Sequence, residues 1–145
     1  MITRDTIAEL IPHQGAMCLL DTIVRWDHDS IVCHSARHVA VDNPLREGDR
    51  LPAIHAIEFA AQAMAAHQRL LGPDGARPGG GLLVSVRQCT IPFECLDRCE
   101  SPLVIEARRL AGSADAITYS FAVGAAGGPT VSGRASVMLA SGEGE

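Results

Sequence analysis

The chain of 145 residues has the usual size of one globular domain, and a hydrophobic content of 47% is enough for a sizeable core. Its twelve basic residues are all arginines spread along the chain, and the net charge is −5, which argues against a nucleic-acid-binding face. No apolar run reaches the roughly 18 residues of a membrane span, and the first residues lack a secretory signal pattern. We therefore expect a cytoplasmic, soluble protein that binds neither nucleic acid nor membrane.

The predicted elements begin with a short helix over about residues 3–10, which ends before Pro12. Two runs rich in β-forming residues follow, at about 17–26 and 30–39, and the turn residues between them predict a β-hairpin. A polar loop then leads into a long apolar segment at 51–72. Pro52 suits its first helical turn and Gly72 its end, so this segment predicts a helix.

The second half of the chain predicts strands. The stretch 72–81 is rich in glycine and proline and predicts a mobile loop. Four strands follow, at about 82–91, 103–110, 116–123 and 130–139, and the polar tail at 141–145 is predicted to be flexible. We predict one α+β domain over 1–145 with its core at about 8–140. Its antiparallel sheet must wrap the long helix to bury the helix's apolar surface.

Neither the cysteines nor the histidines predict a metal site. The five cysteines are odd in number and have no CxxC spacing, which argues against a disulfide framework and against zinc. His34 and His38 lie four residues apart, but the residues around them indicate a strand, and no third ligand is nearby. We assign no metal.

The long helix, LPAIHAIEFAAQAMAAHQRLLG, carries polar residues in an alanine-rich frame. His55, Glu58 and Gln62 share an arc of about 60° on a helical projection. The opposite side is predicted to face the sheet and consists of Ala53, Ile57, Ala60, Ala61, Met64 and Leu71. The neighbours of the polar set are apolar, and a carboxylate in such a setting suits proton transfer. The polar set is interpreted as a catalytic site or as a patch buried against a partner subunit.

Two motifs resemble the hotdog-fold dehydratases of the FabZ type, which remove water from 3-hydroxyacyl groups carried on acyl carrier protein. IPHQGAMCLLD resembles that family's L-P-H-R-x-P-x-L-L-x-D, and LPAIHAIEFAAQ resembles M-P-G-x-x-x-x-E-x-x-x-Q with Glu58 and Gln62 in register. The resemblance covers about residues 8–140. It implies a hotdog fold in which a six-stranded antiparallel sheet wraps a long central helix. It also implies a substrate carried on a phosphopantetheine thioester, with no other cofactor.

One departure from the FabZ type changes the expected site. The catalytic histidine of that type stands fourteen residues before the glutamate, and this position is Pro44 here. The remaining pattern is closer to the divergent, ApeP-like dehydratases found with aryl-polyene gene sets, which resemble partners in heterodimers with a second dehydratase. The resemblance therefore implies a homodimer, or a heterodimer with another hotdog protein. Its substrate would be carried by acyl carrier protein or coenzyme A.

Dehydration needs a base, an acid and donors for the thioester carbonyl. Glu58 is predicted to act on the departing hydroxyl, His55 to be the base, and the backbone N–H groups near Ile54 and His55 to hold the carbonyl. His38 is the other candidate base. The predicted substrate-binding residues are Gln62, Ile54, Phe59 and His13, although the residue matching His13 helps fix the N-terminal segment in the family. Docking of an acidic carrier protein is predicted for Arg46, Arg50, Arg87 and Arg98.

Two alternative functions remain open at this point. Hotdog thioesterases resemble the same architecture, and Glu58 would then be the base or nucleophile in thioester hydrolysis. A non-catalytic subunit that completes a partner's site is the other alternative, and the replacement at Pro44 favours it. Assays of both 3-hydroxyacyl and saturated acyl thioesters separate these functions.

Overall fold

The computed structural model of the protein describes residues 1–11, 15–72, 82–113 and 116–139. Within these ranges the chain forms seven β-strands and two α-helices. Their bounds are β1 Ile2–Thr3, α1 Arg4–Leu10, β2 Thr22–Trp26, β3 Ser30–Ser35, α2 Ala56–Leu71, β4 Leu82–Thr90, β5 Leu103–Gly112, β6 Ala116–Ala125 and β7 Thr130–Leu139. No helix in these ranges is long and apolar enough to cross a membrane.

All seven strands belong to one antiparallel sheet in the order β1-β2-β3-β5-β6-β7-β4. The helix α2 packs against one face of this sheet. The predicted α+β hotdog fold with a long helix against an antiparallel sheet is confirmed, but the count of six strands was one too low. The added strand is β1, whose two residues pair with β2. Two residues carry no periodicity that a sequence pattern could reveal.

The core lies between α2 and the inner face of the sheet. Along β6, buried residues alternate with partly exposed ones, as expected for a strand with one covered face. Its inward side chains Tyr119 and Phe121 meet a helix face that includes Phe59 and several alanines. Small side chains on α2 let the sheet approach the helix axis closely, which suits a core with few aromatics.

The helix begins differently from the prediction. Residues Ala53–His55 form a 3₁₀ turn, and the α-helix proper starts at Ala56. A 3₁₀ turn advances 120° per residue against 100° in an α-helix, so it changes the directions of the side chains of residues 53–55 relative to those of the α-helix. The predicted sheet-facing side was also partly wrong, because Ile57 and Ala61 remain partly exposed. Their place in the core is taken by Phe59, Ala63 and Ala66.

The first hairpin is shorter than predicted at both ends. β2 begins at Thr22 instead of residue 17, because the backbone N–H of Leu19 donates to a side chain of α2 instead of to a strand. β3 ends at Ser35, where Asp21 Oδ2 accepts the N–H of Ala36 at 2.7 Å. Side-chain acceptors of this kind take the place of backbone hydrogen bonds between strands, and strand pairing ends there.

A buried histidine joins the end of α2 to the sheet and to the tip of the first hairpin. The His67 side chain is fully buried, and its Nε2–H donates to the carbonyl oxygen of Asp27 at 2.8 Å. Because that carbonyl can only accept, Nδ1 is the acceptor of the Tyr119 hydroxyl at 2.7 Å. Gln68 in turn donates to the Tyr119 oxygen. All of these hydrogen bonds can form together only when the imidazole of His67 is neutral.

We expect the protein to lose stability in mild acid because of this histidine and of His38. Burial lowers the pKa of both imidazoles below the ordinary value of 6.5. The unfolded chain therefore binds protons that the folded chain excludes, and the free energy of unfolding falls as pH drops below 6.5 toward the folded values. Thermal denaturation at a series of pH values measures this loss. His67→Gln should reduce the pH dependence.

Several predictions fall outside the described ranges. They concern His13, the glycine-rich loop after Gly72 and the tail at 141–145.

The five cysteines are free thiols, and burial raises the pKa of Cys33 to about 12. A thiol with so high a pKa is neither a nucleophile nor a metal ligand near neutral pH.

Candidate functional site

The start of the long helix is held by a segment from the other half of the chain. The N–H of Leu51 donates to Asp97 Oδ1 at 2.8 Å, and Leu51 accepts the N–H of Leu96 at 2.8 Å. The N–H of Ala53 donates to the carbonyl oxygen of Glu94 at 2.8 Å, and Pro52 forms a bridge with Cys95. Residues 51–53 and 94–97 therefore form one rigid unit at the N-terminus of the helix.

This anchoring decides which backbone donors are available at the helix start. The N–H of His55 donates to the carbonyl oxygen of Pro52 at 3.1 Å, and Ala53 is engaged with Glu94. The prediction that the N–H of His55 holds a substrate carbonyl is thus not supported in this conformation. Ile54 is the residue of the turn whose N–H has no acceptor among the described residues. It lies at the positive end of the helix dipole.

Glu58 lies on an exposed and otherwise apolar face of the helix. Its side chain is exposed in the single chain, and Ile54 beside it is 50% exposed. Ile57 and Ala61 are partly exposed on the same face, at the three- and four-residue spacings that align side chains along a helix. Isoleucines at the surface beside a single carboxylate are typical of an interface and not of a solvated helix face.

His55 lies between the exposed and buried surfaces. Its side chain is 24% exposed, and Nε2 is 3.7 Å from Oε2 of Glu47. That distance is too long for a hydrogen bond, and Nε2 has no hydrogen-bond partner among the described residues. The ring nitrogen has almost no accessible surface in the protomer, so it can meet a new partner only if the ring turns toward the exposed face.

Gln62 does not share the exposure of Glu58. It is 1% exposed, its Oε1 accepts the N–H of Leu19 at 2.8 Å, and its Nε2 donates to the carbonyl oxygen of Met17 at 2.7 Å. Both ends of the amide are thus bound to residues within the first sequence motif. The predicted polar set is divided in the protomer, with Glu58 exposed and Gln62 buried.

Two further predicted residues lie in the interior. Phe59 has no exposed surface and packs in the hydrophobic core, so it offers no wall to a substrate in the protomer. His38, the other candidate base, is not on a strand but in a 3₁₀ turn, and it is fully buried. Its Nε2–H donates to the carbonyl oxygen of Cys99 at 3.0 Å. In this conformation His38 has no access to a substrate.

A surface groove with a volume of about 270 Å³ opens beside the helix start. It is lined by Arg50, Phe93, Glu94, Cys95 and Arg98. The guanidinium of Arg50 is 3.5 Å from the carboxylate of Glu94, and its pKa is raised chiefly by a hydrogen bond to Cys95. Because residues 94–97 are bonded directly to residues 51–53, the groove and the first turn of the helix form one continuous region.

Sequence reasoning found Arg50 and Arg98 as separate candidates but missed that they lie together beside Phe93. It also missed Glu47, the carboxylate nearest to His55. The pairing of 51–53 with 94–97 joins residues more than forty positions apart, and no local pattern predicts such a contact. Of these two missed features, Glu47 was the easier to find from the sequence, because its loop precedes the helix by only a few residues.

The fold is shared with solved structures at low sequence identity. The dehydratase heterocomplex ApeI:P from Xenorhabdus doucetiae aligns with a TM-score of 0.77 and 19% identity, covering 92% of this chain and 90% of that one. The E. coli PaaI protein from the phenylacetic acid degradation operon aligns with a TM-score of 0.56 and 12% identity, covering 94% and 88%. A putative thioesterase from Silicibacter sp. aligns with a TM-score of 0.58 and 14% identity, covering 96% and 92%.

The sequence itself matches one family model over nearly its whole length. The model is that of the ApeP-like family, described as ApeP dehydratase, and it spans residues 5–143. No curated protein matches the chain. The matched span includes the helix that bears Glu58 and the segment held by Gln62. This chain belongs to the ApeP-like dehydratase family.

Proposed function

We propose that the chain is a subunit of a 3-hydroxyacyl thioester dehydratase whose active site forms where a second hotdog protomer covers Glu58. The observation that carries this proposal is the single exposed carboxylate on an apolar helix face, next to the helix N-terminus and the arginine-lined groove. Membership of the ApeP-like dehydratase family supports the reaction class. A partner protomer would remove water from the carboxylate and so strengthen its interactions in the transition state.

The proposed reaction uses two side chains and one backbone donor. His55 takes the proton from the carbon next to the thioester carbonyl, which requires its buried Nε2 to turn toward the substrate, and the N–H of Ile54 holds the carbonyl oxygen as enolate character develops. Glu58, protonated, gives its proton to the departing hydroxyl, so that the C–O bond breaks, the C=C bond forms and water leaves. Proton exchange from the imidazolium to the carboxylate then restores the starting state. This arrangement places acid and base on one helix, unlike the FabZ type.

The second protomer is proposed to be another hotdog protein or a second copy of this chain. β4 lies at an edge of the sheet, and its regular part before the bulge at Arg87 can extend the sheet into a partner. The structural neighbour from Xenorhabdus doucetiae is a heterocomplex. A mixed dimer would also supply a second base or acid if Pro44 marks a lost histidine in this chain.

Direct assays separate this function from its alternatives. Purified protein is given a 3-hydroxyacyl carrier-protein thioester and the matching saturated thioester, and the enoyl product and free thiol are followed separately. Dehydration that His55→Ala abolishes supports the proposal and excludes a silent subunit. Hydrolysis of the saturated thioester without dehydration identifies a thioesterase. Failure of both reactions, even with a hotdog partner added, leaves only the non-catalytic role.

The groove is proposed to receive the phosphate of the phosphopantetheine arm or an acidic residue of the carrier protein. Arg50→Gln combined with Arg98→Gln should raise KM for the carrier-bound substrate by about tenfold and leave kcat nearly unchanged, because these contacts are the same in the ground and transition states. Steady-state kinetics with the carrier protein and with a short pantetheine thioester measure the effect. Arg25→Gln, on β2, serves as a control for the loss of one exposed positive charge elsewhere. A lower kcat with unchanged KM would contradict this role of the groove.

A further inference from the structure

A row of arginines crosses the outer face of the sheet, on the side away from α2. The strand register aligns Arg87 of β4 with Arg134 of β7, Arg134 with Ser120 of β6, and Ser120 with Arg108 of β5. All three arginines are exposed. Their neighbours along β5 and β7, such as Ala107 and Ala135, are buried and point toward the helix. The arginine row, Arg87, Arg134 and Arg108, therefore spans four adjacent strands on one surface.

This arrangement is unfavourable for the chain alone. Side chains directly opposite each other in an antiparallel pair lie about 4.5–5.5 Å apart at Cβ, and like charges there are destabilising. Arg87 and Arg134 are such a pair. Within the described ranges, no ion pair joins any arginine of the row to a carboxylate. Glu106 is the one acidic residue that the four strands contain.

The contrast with the rest of the protein points to a function for the row. The chain as a whole has a net charge of −5, yet this face holds three exposed arginines on neighbouring strands, and Glu106, two residues before Arg108, is the one carboxylate that these strands set beside them. Local arrangements that lower stability without an internal benefit are expected at functional surfaces. The missing carboxylates are therefore expected to come from outside the chain.

We propose that the arginine row docks an acidic helix of a partner protein. Neighbouring strands lie about 4.8 Å apart, so the guanidinium groups start from backbone positions separated by about 5 and 10 Å across the sheet. Carboxylates on one face of a helix recur every three or four residues, at about 5–6 Å. A helix lying across the strands can thus place one carboxylate at each arginine, and guanidinium and carboxylate pair well in bidentate geometry.

The surroundings of the row favour a protein helix over a lipid surface. At the β4 and β7 end of the row, the outward residues that flank the arginines are small and hydroxylated, namely Ser85, Ser132 and Ser136. Docking to a membrane surface uses several apolar side chains that enter the acyl region, whereas beside the row Leu110, two residues after Arg108, is the one exposed large apolar residue within two positions along the described strands. The proposal is independent of the dehydratase function, because the row lies on the opposite side of the sheet from Glu58 and α2.

The test uses the full chain and an alanine-based helical peptide with three glutamates along one face. Binding is followed by NMR on isotope-labelled protein, which maps contacts residue by residue, and a peptide with glutamines in place of the glutamates is the ligand control. The expected shifts lie on β4, β7 and β5 around the row. The combined variant Arg87→Gln, Arg108→Gln and Arg134→Gln should weaken binding about tenfold. Arg50→Gln with Arg98→Gln removes charge elsewhere and should not.

Other outcomes overturn the proposal. Equal binding of the glutamine peptide shows that charge pairing is not the cause, and unchanged affinity in the triple variant shows that the row is not the site. Binding to anionic phospholipid vesicles without binding to the acidic peptide assigns the face to a membrane instead. Dehydratase activity on a short pantetheine thioester should be the same in the variant Arg108→Gln, Arg134→Gln and in the unmodified protein, so failure of this proposal is separable from failure of the catalytic one.

Discussion

Replacing Glu58 by glutamine is expected to lower kcat for dehydration by about 10²- to 10⁴-fold, the usual contribution of a positioned general acid. Glutamine keeps the size and polarity of the side chain but cannot give a proton to the departing hydroxyl. KM should change little, because the shape of the site is preserved. The measurement is the rate of enoyl thioester formation by whichever dimer is active, either of this chain alone or with a second hotdog protein.

Stability and a second carboxylate provide the controls for this variant. Glu58 is exposed in the protomer, so its substitution should leave the melting temperature of the separate chain nearly unchanged. Glu9→Gln removes an equally exposed carboxylate from α1 and should retain full activity. If Glu58→Gln keeps activity within about twofold, the carboxylate is not the acid, and the catalytic groups must be sought in the partner protomer.

The sequence predicted the elements that have strong periodicity. The long helix and the strands β5, β6 and β7 lie within a few residues of their predicted bounds, because each has a clear apolar pattern and glycine or proline at its ends. The motif around Glu58 correctly identified the family. It did not predict which face of the helix meets the sheet, since that depends on packing against distant strands, nor the 3₁₀ turn at Ala53–His55.

The site was less predictable than the fold because its contacts join distant parts of the chain. Gln62 and Glu58 are one turn apart in sequence and indistinguishable in a helical projection. Only the position of the segment at residues 17–19 makes one of them an internal bond and leaves the other exposed. The neutral network of His67 and Tyr119 likewise joins residues more than fifty positions apart. A histidine near the end of an alanine-rich helix gives no sign of such a partner.

Replacing Gln62 by methionine is expected to lower the free energy of unfolding by about 2–4 kcal/mol, because two backbone groups lose their partners in or near the core. Leu19, whose N–H is one of them, is fully buried. Methionine has a similar volume, so the loss reflects hydrogen bonds and not a cavity. For a domain of this size the melting temperature should fall by about 5–15 °C. Calorimetry at a fixed protomer concentration measures it.

Gln68→Met supplies a matched comparison on the same helix. Gln68 is partly exposed and makes one described hydrogen bond, to the Tyr119 hydroxyl, so its replacement should cost roughly 1 kcal/mol or less. The pair also separates the two roles open to Gln62. If Gln62 supports the segment at residues 17–19, Gln62→Met should lower the free energy of unfolding more than Gln68→Met does. A residue that binds substrate instead raises KM while the melting temperature stays close to that of Gln68→Met, and this result would exclude the supporting role.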